Sequence, residues 1–322
     1  MHQDGSAPIV RMTPARSLHI VGAAHAGERL DRYAAAVVAD LSRSRAARLI
    51  RDQDVTVNGL PADPDYRVAI GERVVVQIPP PSAGLDPEPG ELRVVLETPE
   101  FVAIDKPAGI TMHPGARAEG GTLAHRLVAR YPELAAIGHA QRPGIVHRLD
   151  KGTSGVVLVA RTVSGYQHLT RLFAERKVAK AYLLIVRGQP QPPEGVIEAP
   201  IGRHPNNRTR MAVVRRGKPA ETAYEVLDGR EAASLVLARP ATGRTHQIRV
   251  HLAAIGHPVV GDRAYGATEP PVARPMLHAW TLRFGDAEGA EWHLSSPPPP
   301  DFVSVAERLG LSLPATPPSG QG

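Results

Sequence analysis

The sequence contains no cysteine and few aromatic residues. Among its 322 residues Cys is absent, and Phe, Trp and Tyr together make up 4%. The missing thiol excludes disulfides, cysteine-ligated zinc and thiolate nucleophiles. Because aromatic side chains are scarce, each one in a polar context merits scrutiny as a stacking surface for a ligand.

Long apolar runs are also missing. No stretch of about 18 apolar residues is present, as a membrane-spanning helix would require. The N-terminal residues lack the apolar core of a secretory signal. We therefore expect a cytoplasmic protein with no membrane partner. The formal net charge of +6 favours an anionic partner such as nucleic acid.

Changes in composition divide the chain into five segments. Residues 1–24 are predicted to be a flexible leader and residues 311–322 a disordered tail, because both are polar and rich in small residues and proline. Residues 81–91 are rich in Pro and Gly and are predicted to be a linker. The segment 25–80 is predicted to be a small domain, and 92–310 a larger α+β domain with mostly antiparallel strands.

The small domain combines two helices, a tight turn and a strand. Apolar residues recur at helical spacing from Leu30 to Leu41, and Asn58-Gly59 is a strong hairpin signal. The second helix carries an acid-free cluster of Arg43, Arg45, Arg48 and Arg51. A solvated helix face would also explain such a cluster. In this context, however, the segment resembles the S4 RNA-binding module, whose second helix presents basic side chains to folded RNA, which implies that Arg43, Arg45 and Arg48 bind RNA.

The segment GIVHRLDKGTSGVVLVART places a lone carboxylate before a strand-like apolar run. Asp150 lies between His147, Arg148 and Lys151. The glycines that follow allow a sharp turn into the strand, so Asp150 lies on a loop from which a side chain can project into a cleft. A loop stabilised by ion pairs is the alternative interpretation of this segment alone.

Three further segments carry candidate side chains. In IDKPAGITMHPG a predicted strand is followed by a loop that contains His113. KAYLLIV is predicted to be a strand that begins near Tyr182. In TGRTHQIRVHLAAIG, Thr245 is predicted to cap a helix on which His246 and Arg249 lie three residues apart on one face. Taken singly, the first segment is also compatible with a surface turn, the second with a tyrosine packed in the core, and the third with a structural salt bridge.

Together these segments resemble the RluA/RluD type of RNA pseudouridine synthase. The resemblance extends from the S4-like start to EWHLSSPPP near the end, and its most specific blocks are HRLDKGTSG, TGRTHQIRVH and GDRAYG. It implies an α+β, mostly antiparallel mixed-sheet catalytic domain preceded by a small S4-like domain. It also implies an enzyme that converts uridine in RNA, most closely large-subunit (23S) ribosomal RNA, to pseudouridine.

The resemblance also assigns roles to individual residues. Asp150 corresponds to the catalytic aspartate, Tyr182 to the base-stacking tyrosine, and Arg249 to the arginine paired with the aspartate. Leu277, in PMLHAW, corresponds to the apolar residue that floors the uracil pocket. The other predicted substrate contacts of this domain are His113, His246 and Arg148, the last being the candidate to fill the gap left by a flipped nucleotide.

This chemistry requires neither a metal nor a redox cofactor. The reaction breaks the N1–C1′ bond, turns the ring and joins C5 to C1′, so nothing is oxidised and no group is imported. A carboxylate can attack the sugar or the base, or stabilise cationic character at C1′, and these alternatives stay open. It must remain ionised in a closed site, which a neighbouring arginine favours.

A second RNA contact is predicted in the basic run GRHPNNRTRMAVVRRGK. From Arg203 to Lys218 there are six Arg or Lys residues and no acid, a composition that a solvated hairpin would also explain. Arg208 and Arg210 are predicted to bind phosphates. The expected partner is ribosomal RNA or a pre-50S ribosomal particle, and the expected oligomeric state is a monomer.

Two other functions compete with this hypothesis. A ribosome-associated RNA-binding or assembly protein would keep the S4-like module without catalysis. A nucleoside or glycoside hydrolase would also use a carboxylate, but most such enzymes need two. Asp105 is the only other acid near these motifs, and its neighbours Lys106 and Pro107 indicate a structural turn.

Overall fold

The computed structural model divides the chain into two units, Met1–Ala83 and Gly84–Gly322. It describes residues 15–39, 41, 43–78, 84–115, 120–207, 209–266 and 272–317, without the side chains of residues 15, 44 and 45. Each unit has apolar cores of its own. The longest described helix has 12 residues, and no helix in the described part of the chain is long and apolar enough to cross a membrane.

The first unit packs two helices on a small antiparallel sheet. Its elements are β1 (Ala15–Ile20), a 3-10 turn (Ala23–His25), α1 (Leu30–Val37), α2 (Arg43–Arg51), β2 (Val55–Val57), β3 (Leu60–Pro61) and β4 (Arg73–Ile78). The sheet order is β1-β4-β2-β3. Leu30, Tyr33 and Ile50 from the helices are buried against Val74 and Val76 of β4. The predicted pair of helices, the turn at Asn58 and the closing strand are all present.

The predicted flexible leader is too long, because part of it forms a strand. β1 pairs with β4 from Ala15 opposite Ile78 to Ile20 opposite Arg73. The strand escaped the sequence analysis because it lies at a sheet edge. Its large apolar residues Leu18 and Ile20 are 53% and 69% exposed, so they do not produce a burial pattern. Residues 1–14 lie outside the described residues.

The second unit is built on one large sheet. Its strands are β5 (Arg93–Glu97), β6 (Phe101–Lys106), β7 (Gly138–His139), β8 (Arg142–Pro143), β9 (Ser154–Ala160), β10 (Ala179–Arg187), β11 (Glu194–Glu198), β12 (Ile201–Arg203), β13 (Met211–Val213), β14 (Glu221–Arg230), β15 (Ala233–Pro240), β16 (Leu277–Gly285) and β17 (Glu291–Ser295). The helices are α3 (Leu123–Arg130), α4 (Val163–Ala174), α5 (Gln247–Ala254) and α6 (Pro300–Arg308), with a 3-10 turn at Pro132–Ala136.

The order of the strands brings distant segments together. The nine-stranded sheet runs β11-β14-β15-β10-β16-β9-β6-β5, with β17 also paired to β16. Its described pairs are antiparallel apart from β16 with β9, which run parallel. This confirms the predicted α+β class with mostly antiparallel strands. The loop before β9, the start of β16, strand β10 and the end of β15 therefore become neighbours.

The predicted linker packs on the second unit over its described part. Leu85 is buried in the core beside α3, and the backbone N–H of Gly121 donates to Glu88 Oε2 at 2.7 Å. Arg126 on α3 donates from Nη1 to the carbonyl of Glu91 at 3.1 Å. The proline and glycine content correctly predicts that residues 84–91 form no helix or strand. It does not reveal that one apolar residue, Leu85, anchors this segment. Residues 81–83 lie outside the described part.

The predicted disordered tail begins too early. Leu311 is buried in the core that also contains Phe302 of α6, and the N–H of Ser312 donates to Asp228 Oδ2 at 2.8 Å. One buried leucine and one hydrogen bond thus extend the folded chain beyond residue 310. Residues 318–322 lie outside the described part.

Gly155 allows β9 and β16 to approach closely. It has φ +112°, and a Cβ atom built there would lie 2.1 Å from the carbonyl oxygen of Ala279 on β16. The adjacent pair is fixed by a hydrogen bond between Ser154 Oγ and His278 Nδ1 at 3.0 Å. Since Asp150 precedes β9 and Leu277 starts β16, this contact also determines how two predicted site residues face each other.

We expect Gly155→Ala to lower the free energy of unfolding by about 2–4 kcal/mol, because it combines an unfavourable φ with a clash against backbone. Denaturant unfolding of the full chain measures this. The control is Gly84→Ala, at an exposed glycine with nothing within 4 Å of its Cβ position. Equal denaturation midpoints for the two variants would show that β9 and β16 can move apart at Gly155 without loss of stability.

Candidate active site

A cavity of about 430 Å³ brings together half of the predicted site residues. It is bounded by the loop before β9, strand β10, the end of α4, the loop before α5 and the start of β16. Six predicted residues line it: Arg148, Asp150, Tyr182, His246, Arg249 and Leu277. Among the described residues that line it, Asp150 is the only carboxylate.

Asp150 is held in place by its loop and by one strong ion pair. Its side chain is 20% exposed, and Arg249 Nη1 donates to its Oδ2 at 2.9 Å. His246 Nε2 lies 3.9 Å from the same oxygen. The N–H of Thr153 donates to the Asp150 carbonyl at 3.1 Å, which closes the turn into β9. The carboxylate is therefore oriented while one face remains open to the cavity.

Arg249 is fixed by a second, fully buried carboxylate. Its Nε and Nη2 donate to the two oxygens of Asp262 at 2.6 and 2.8 Å, and Asp262 is 0% exposed. The ring of Tyr265 lies 5.1 Å from the guanidinium carbon. Burial opposes the charged form, but the hydrogen bonds and charges of Asp262 and Asp150 outweigh it and raise the pKa of Arg249. The guanidinium thus stays charged and presents its remaining nitrogen to Asp150.

Tyr182 and Leu277 form the apolar side of the cavity. Tyr182 lies on β10, packs against the core on one side and lines the cavity with the rest of its ring. Leu277 is buried at the start of the adjacent strand β16. Burial and the nearby charge of Asp150 both raise the pKa of the Tyr182 hydroxyl, so it stays protonated at neutral pH. A flat apolar ring and a leucine beside one carboxylate suit a planar base.

His246 precedes α5 in a strained conformation. The predicted cap at Thr245 is wrong, since α5 begins at Gln247 and His246 occupies the capping position with φ 57°. Its Nδ1 lies 2.7 Å from Tyr265 Oη, which also accepts the backbone N–H of Met211 at 3.0 Å. Burial lowers the pKa of His246. A non-glycine residue in the left-handed region is held there by its surroundings, and such strain is common at functional sites.

The structure does not bring His113 into the cavity. Its Nδ1 lies 3.0 Å from the carbonyl oxygen of the next residue, Pro114, and it is absent from the lining residues. The predicted substrate contact of His113 therefore stays a prediction for a position outside the cavity. In the loop after β6, the backbone N–H of Gly109 donates to the carbonyl of Lys151 at 2.7 Å, so this loop supports the turn that carries Asp150.

The predicted arginines outside the cavity are exposed where the structure describes them. Arg210 lies at the turn of the β12–β13 hairpin, and Arg43 and Arg48 lie on α2 of the first unit. Arg43 Nε lies 3.3 Å from Asp31 Oδ2, so part of its charge is already paired. Arg208 and the side chain of Arg45 lie outside the described part of the chain.

Sequence reasoning missed two residues that organise the site. Asp262 and Tyr265 both belong to the GDRAYG block, which contributed to the family resemblance but received no residue roles. Their contacts with Arg249 and His246 link this block to the start of α5, 13 and 19 positions earlier in the sequence. The sequence offered one signal for these roles, namely an acidic residue and a tyrosine within the same family-specific block.

The geometry disfavours a two-carboxylate hydrolase. Asp262 binds the same arginine as Asp150, but both its oxygens are occupied by Arg249, and it is fully buried. Neither Asp262 nor Asp105 is among the described residues that line the cavity. Glycosidases of either stereochemistry use two carboxyl groups that both reach the substrate. One accessible carboxylate therefore does not match that chemistry.

Comparison with known proteins gives matches to both units. Residues 100–254 match the RNA pseudouridylate synthase family, and residues 28–74 match the S4 domain. An uncharacterized RNA pseudouridine synthase of Aquifex aeolicus is 39% identical over 278 residues, or 82% of this chain and 88% of that protein. Ribosomal large subunit pseudouridine synthase D of Nitrosomonas europaea is 39% identical over 300 residues, or 90% and 86%.

Solved structures agree with these matches. Human RNA Pseudouridylate Synthase Domain Containing 4 superposes with a TM-score of 0.57 at 28% identity, covering 69% of this chain and 94% of its own. Human RNA Pseudouridylate Synthase Domain Containing 1 gives a TM-score of 0.54 at 34% identity, covering 65% and 86%.

We expect Asp262→Asn to lower the free energy of unfolding by about 3–5 kcal/mol, because it leaves the buried Arg249 guanidinium without its bidentate partner. Glu225→Gln is the control. Glu225 pairs with Arg239 at 3.1 Å, but the two side chains are 43% and 45% exposed, so a loss of at most about 1 kcal/mol is expected. Similar losses in chemical unfolding of both variants would contradict a special dependence on Asp262.

Proposed function

The chain belongs to the RNA pseudouridine synthase family, and from this premise we propose that it modifies large-subunit ribosomal RNA with Asp150 as its catalytic carboxylate. The protein is an RNA pseudouridine synthase, an isomerase with an S4 domain. The family predicted from the sequence motifs is confirmed. The catalytic residues, the cofactor-free reaction and the ribosomal substrate are the parts that we propose.

One observation supports the catalytic assignment most strongly. The described residues that line the cavity include one carboxylate, and that carboxylate is oriented by an arginine whose other two donor atoms are occupied. A cavity of about 430 Å³ lies in the range typical of small-molecule sites. This volume and the apolar ring of Tyr182 suit a single flipped uridine.

Asp150 acts at the bond between the base and the sugar. It attacks C1′ or the uracil ring, or it stabilises positive charge at C1′, while the N1–C1′ bond breaks and the ring turns. C5 then joins C1′, and the proton on C5 leaves. Arg249 supplies the counter-charge of the carboxylate and directs one oxygen, and Leu277 supports the edge of the turning ring. Since the product is an isomer of the substrate, this reaction needs no metal or redox cofactor.

Access to the base requires the nucleotide to leave the RNA stack. Flipping costs a few kcal/mol, and stacking on an aromatic side chain returns about 1–3 kcal/mol per base. Tyr182 supplies the stacking surface inside the cavity. Arg148 is exposed at the cavity wall, one residue before Leu149 and two before Asp150. It is therefore placed to occupy the gap that the flipped nucleotide leaves.

Basic surfaces of both units support a ribosomal RNA substrate. Arg48 and Arg51 are exposed on α2 of the S4 domain, and Arg210 is exposed on the β12–β13 hairpin. Relatives named ribosomal large subunit pseudouridine synthase D match over most of the chain. We therefore expect 23S ribosomal RNA, free or in a pre-50S particle, to be the substrate and the cytoplasm to be the location. Treatment of unmodified ribosomal RNA followed by chemical mapping of pseudouridine tests this directly.

We expect Asp150→Asn to reduce pseudouridine formation by about 1,000-fold or more, because the amide has no negative charge for attack or stabilisation. Tritium release from C5-labelled RNA measures turnover, and a filter-binding assay should show little change in RNA affinity. Asp105→Asn is the control, since this acid does not line the cavity in the described structure. Turnover of Asp150→Asn within about tenfold of the wild type would remove Asp150 from the catalytic role.

We expect replacement of Arg48 and Arg51 by alanine in the full chain to weaken RNA binding and its salt dependence. The log–log salt slope should fall by roughly 0.7–0.9 for each phosphate that the variant no longer neutralises. The control is Arg32→Ala in the same domain, at a side chain that is 71% exposed and 3.7 Å from Glu28 Oε1. An unchanged slope in the double variant would show that the α2 cluster is only a solvated face.

A further inference from the structure

One side of the catalytic cavity has no part in the proposed chemistry. It is lined by His147 from the loop before β9, Phe173 and Arg176 at the end of α4, and Lys180 at the start of β10. These residues are basic or aromatic. The nearest carboxylate among the described lining residues is Asp150, which is already paired with Arg249.

Lys180 is a half-buried lysine without an acidic partner in the described part of the chain. The structure shows neither a hydrogen bond nor an ion pair from its ammonium group to another described residue. Burial and the nearby charge of Arg176 lower the pKa of its amine. An ammonium group that loses water without gaining an anion is destabilised, and a bound anion would reverse that cost.

His147 is neutral, so it neither balances the positive charge of Lys180 nor adds to it. The N–H of Leu158 donates to its Nε2 at 2.8 Å, and its ring stacks on Phe173 at 4.5 Å with 17° between the planes. Burial and the charge of Lys180 lower the pKa of His147 to about 3, so the imidazole is neutral. Because Nε2 accepts a hydrogen bond, the proton of the neutral ring must lie on Nδ1, and that atom is a donor.

Arg176 is held beside this group by the way α4 ends. It has φ 60°, a left-handed conformation that usually falls to glycine at the end of a helix. The N–H of Lys177 donates back to the Leu172 carbonyl at 2.8 Å, which closes the helix end around Arg176. An arginine kept in a conformation better suited to glycine, with its side chain at the cavity wall, adds a second cation beside Lys180.

We infer that Lys180 and Arg176, with the neutral His147 as a further donor, form a subsite for a phosphodiester group of the RNA next to the target uridine. All three side chains present hydrogen-bond donors, and a phosphate oxygen only accepts. Lys180 and Tyr182 are two residues apart on β10 and both line the cavity. At about 3.3–3.4 Å per residue their Cα atoms lie about 7 Å apart, which is comparable to the separation of a base from the phosphate of its own nucleotide.

This inference rests on the proposed function, because it places the flipped base on Tyr182. It adds the prediction that the cavity recognises a nucleotide rather than a nucleoside. The site would then hold the reacting nucleotide at two points, with its base on Tyr182 and its backbone on Lys180. Rotation of the ring between bond breaking and bond formation needs an anchor of this kind on the part of the substrate that stays still.

Binding of uridine 5′-monophosphate, uridine 3′-monophosphate and uridine to the full chain tests the subsite. Calorimetry or NMR titration should show that a monophosphate binds the wild type more tightly than uridine does. Lys180→Met should weaken monophosphate binding by roughly tenfold, the usual effect of one charge-assisted hydrogen bond, and leave uridine binding unchanged. Lys180→Arg should retain most of the preference, since it keeps the charge. Thermal unfolding verifies that each variant is folded.

The matched control is Lys177→Met. Lys177 lies three residues before Lys180, but its Nζ is 2.7 Å from Glu175 Oε2 and it does not line the catalytic cavity. This variant should bind all three ligands like the wild type. Monophosphates that bind no better than uridine, or equal effects of Lys180→Met and Lys177→Met, would overturn the subsite.

Turnover separates this inference from the proposed function. With an RNA that the wild type modifies, Lys180→Met should raise KM by about tenfold, with a smaller change in kcat. If ribosomal RNA receives no pseudouridine from the wild type, the proposed substrate is wrong, and the monophosphate comparison still decides the subsite. If the RNA is modified and Lys180→Met leaves KM unchanged, the subsite is wrong and the isomerase assignment stands.

Discussion

The Asp150–Arg249–Asp262 arrangement is the interaction on which the rest of the site depends. One guanidinium links a buried carboxylate to an accessible one, with contacts between 2.6 and 2.9 Å. The buried Asp262 compensates the cost of burying the arginine, so Arg249 does not need Asp150 to remain charged. Asp150 can therefore change its bonding during a reaction while its counter-charge stays in place.

The same arginine connects the site to the β12–β13 hairpin. Tyr265 contacts the guanidinium with its ring, and its hydroxyl group joins His246 to the backbone of Met211 on the β12–β13 hairpin. That hairpin carries the exposed Arg210. The hairpin and the orientation of Asp150 are thus linked through Tyr265, by two hydrogen bonds and one contact between its ring and the guanidinium.

Local patterns in the sequence predicted local features well and boundaries less well. The helices and turn of the first unit follow from apolar spacing and Asn58-Gly59, and the mostly antiparallel sheet follows from its strand-like runs. Strand β1 was missed because an exposed edge strand is stabilised by backbone hydrogen bonds with β4 rather than by burial of its side chains. Leu85 and Leu311 were missed because each is a single apolar anchor in a polar segment.

The sequence by itself determined the family, the fold class and the candidate Asp150, Tyr182, Arg249 and Leu277, because specific motif blocks carry them. Only the tertiary structure decided which motif residues meet. Ser154 and His278 bond across 124 positions because β9 and β16 are neighbours, and Arg249 reaches Asp150 across 99 positions. The position of Lys180 beside His147 and the exclusion of His113 from the cavity lining also depend on how distant segments pack. Such contacts arise from packing between distant segments, which the pattern within a segment does not encode.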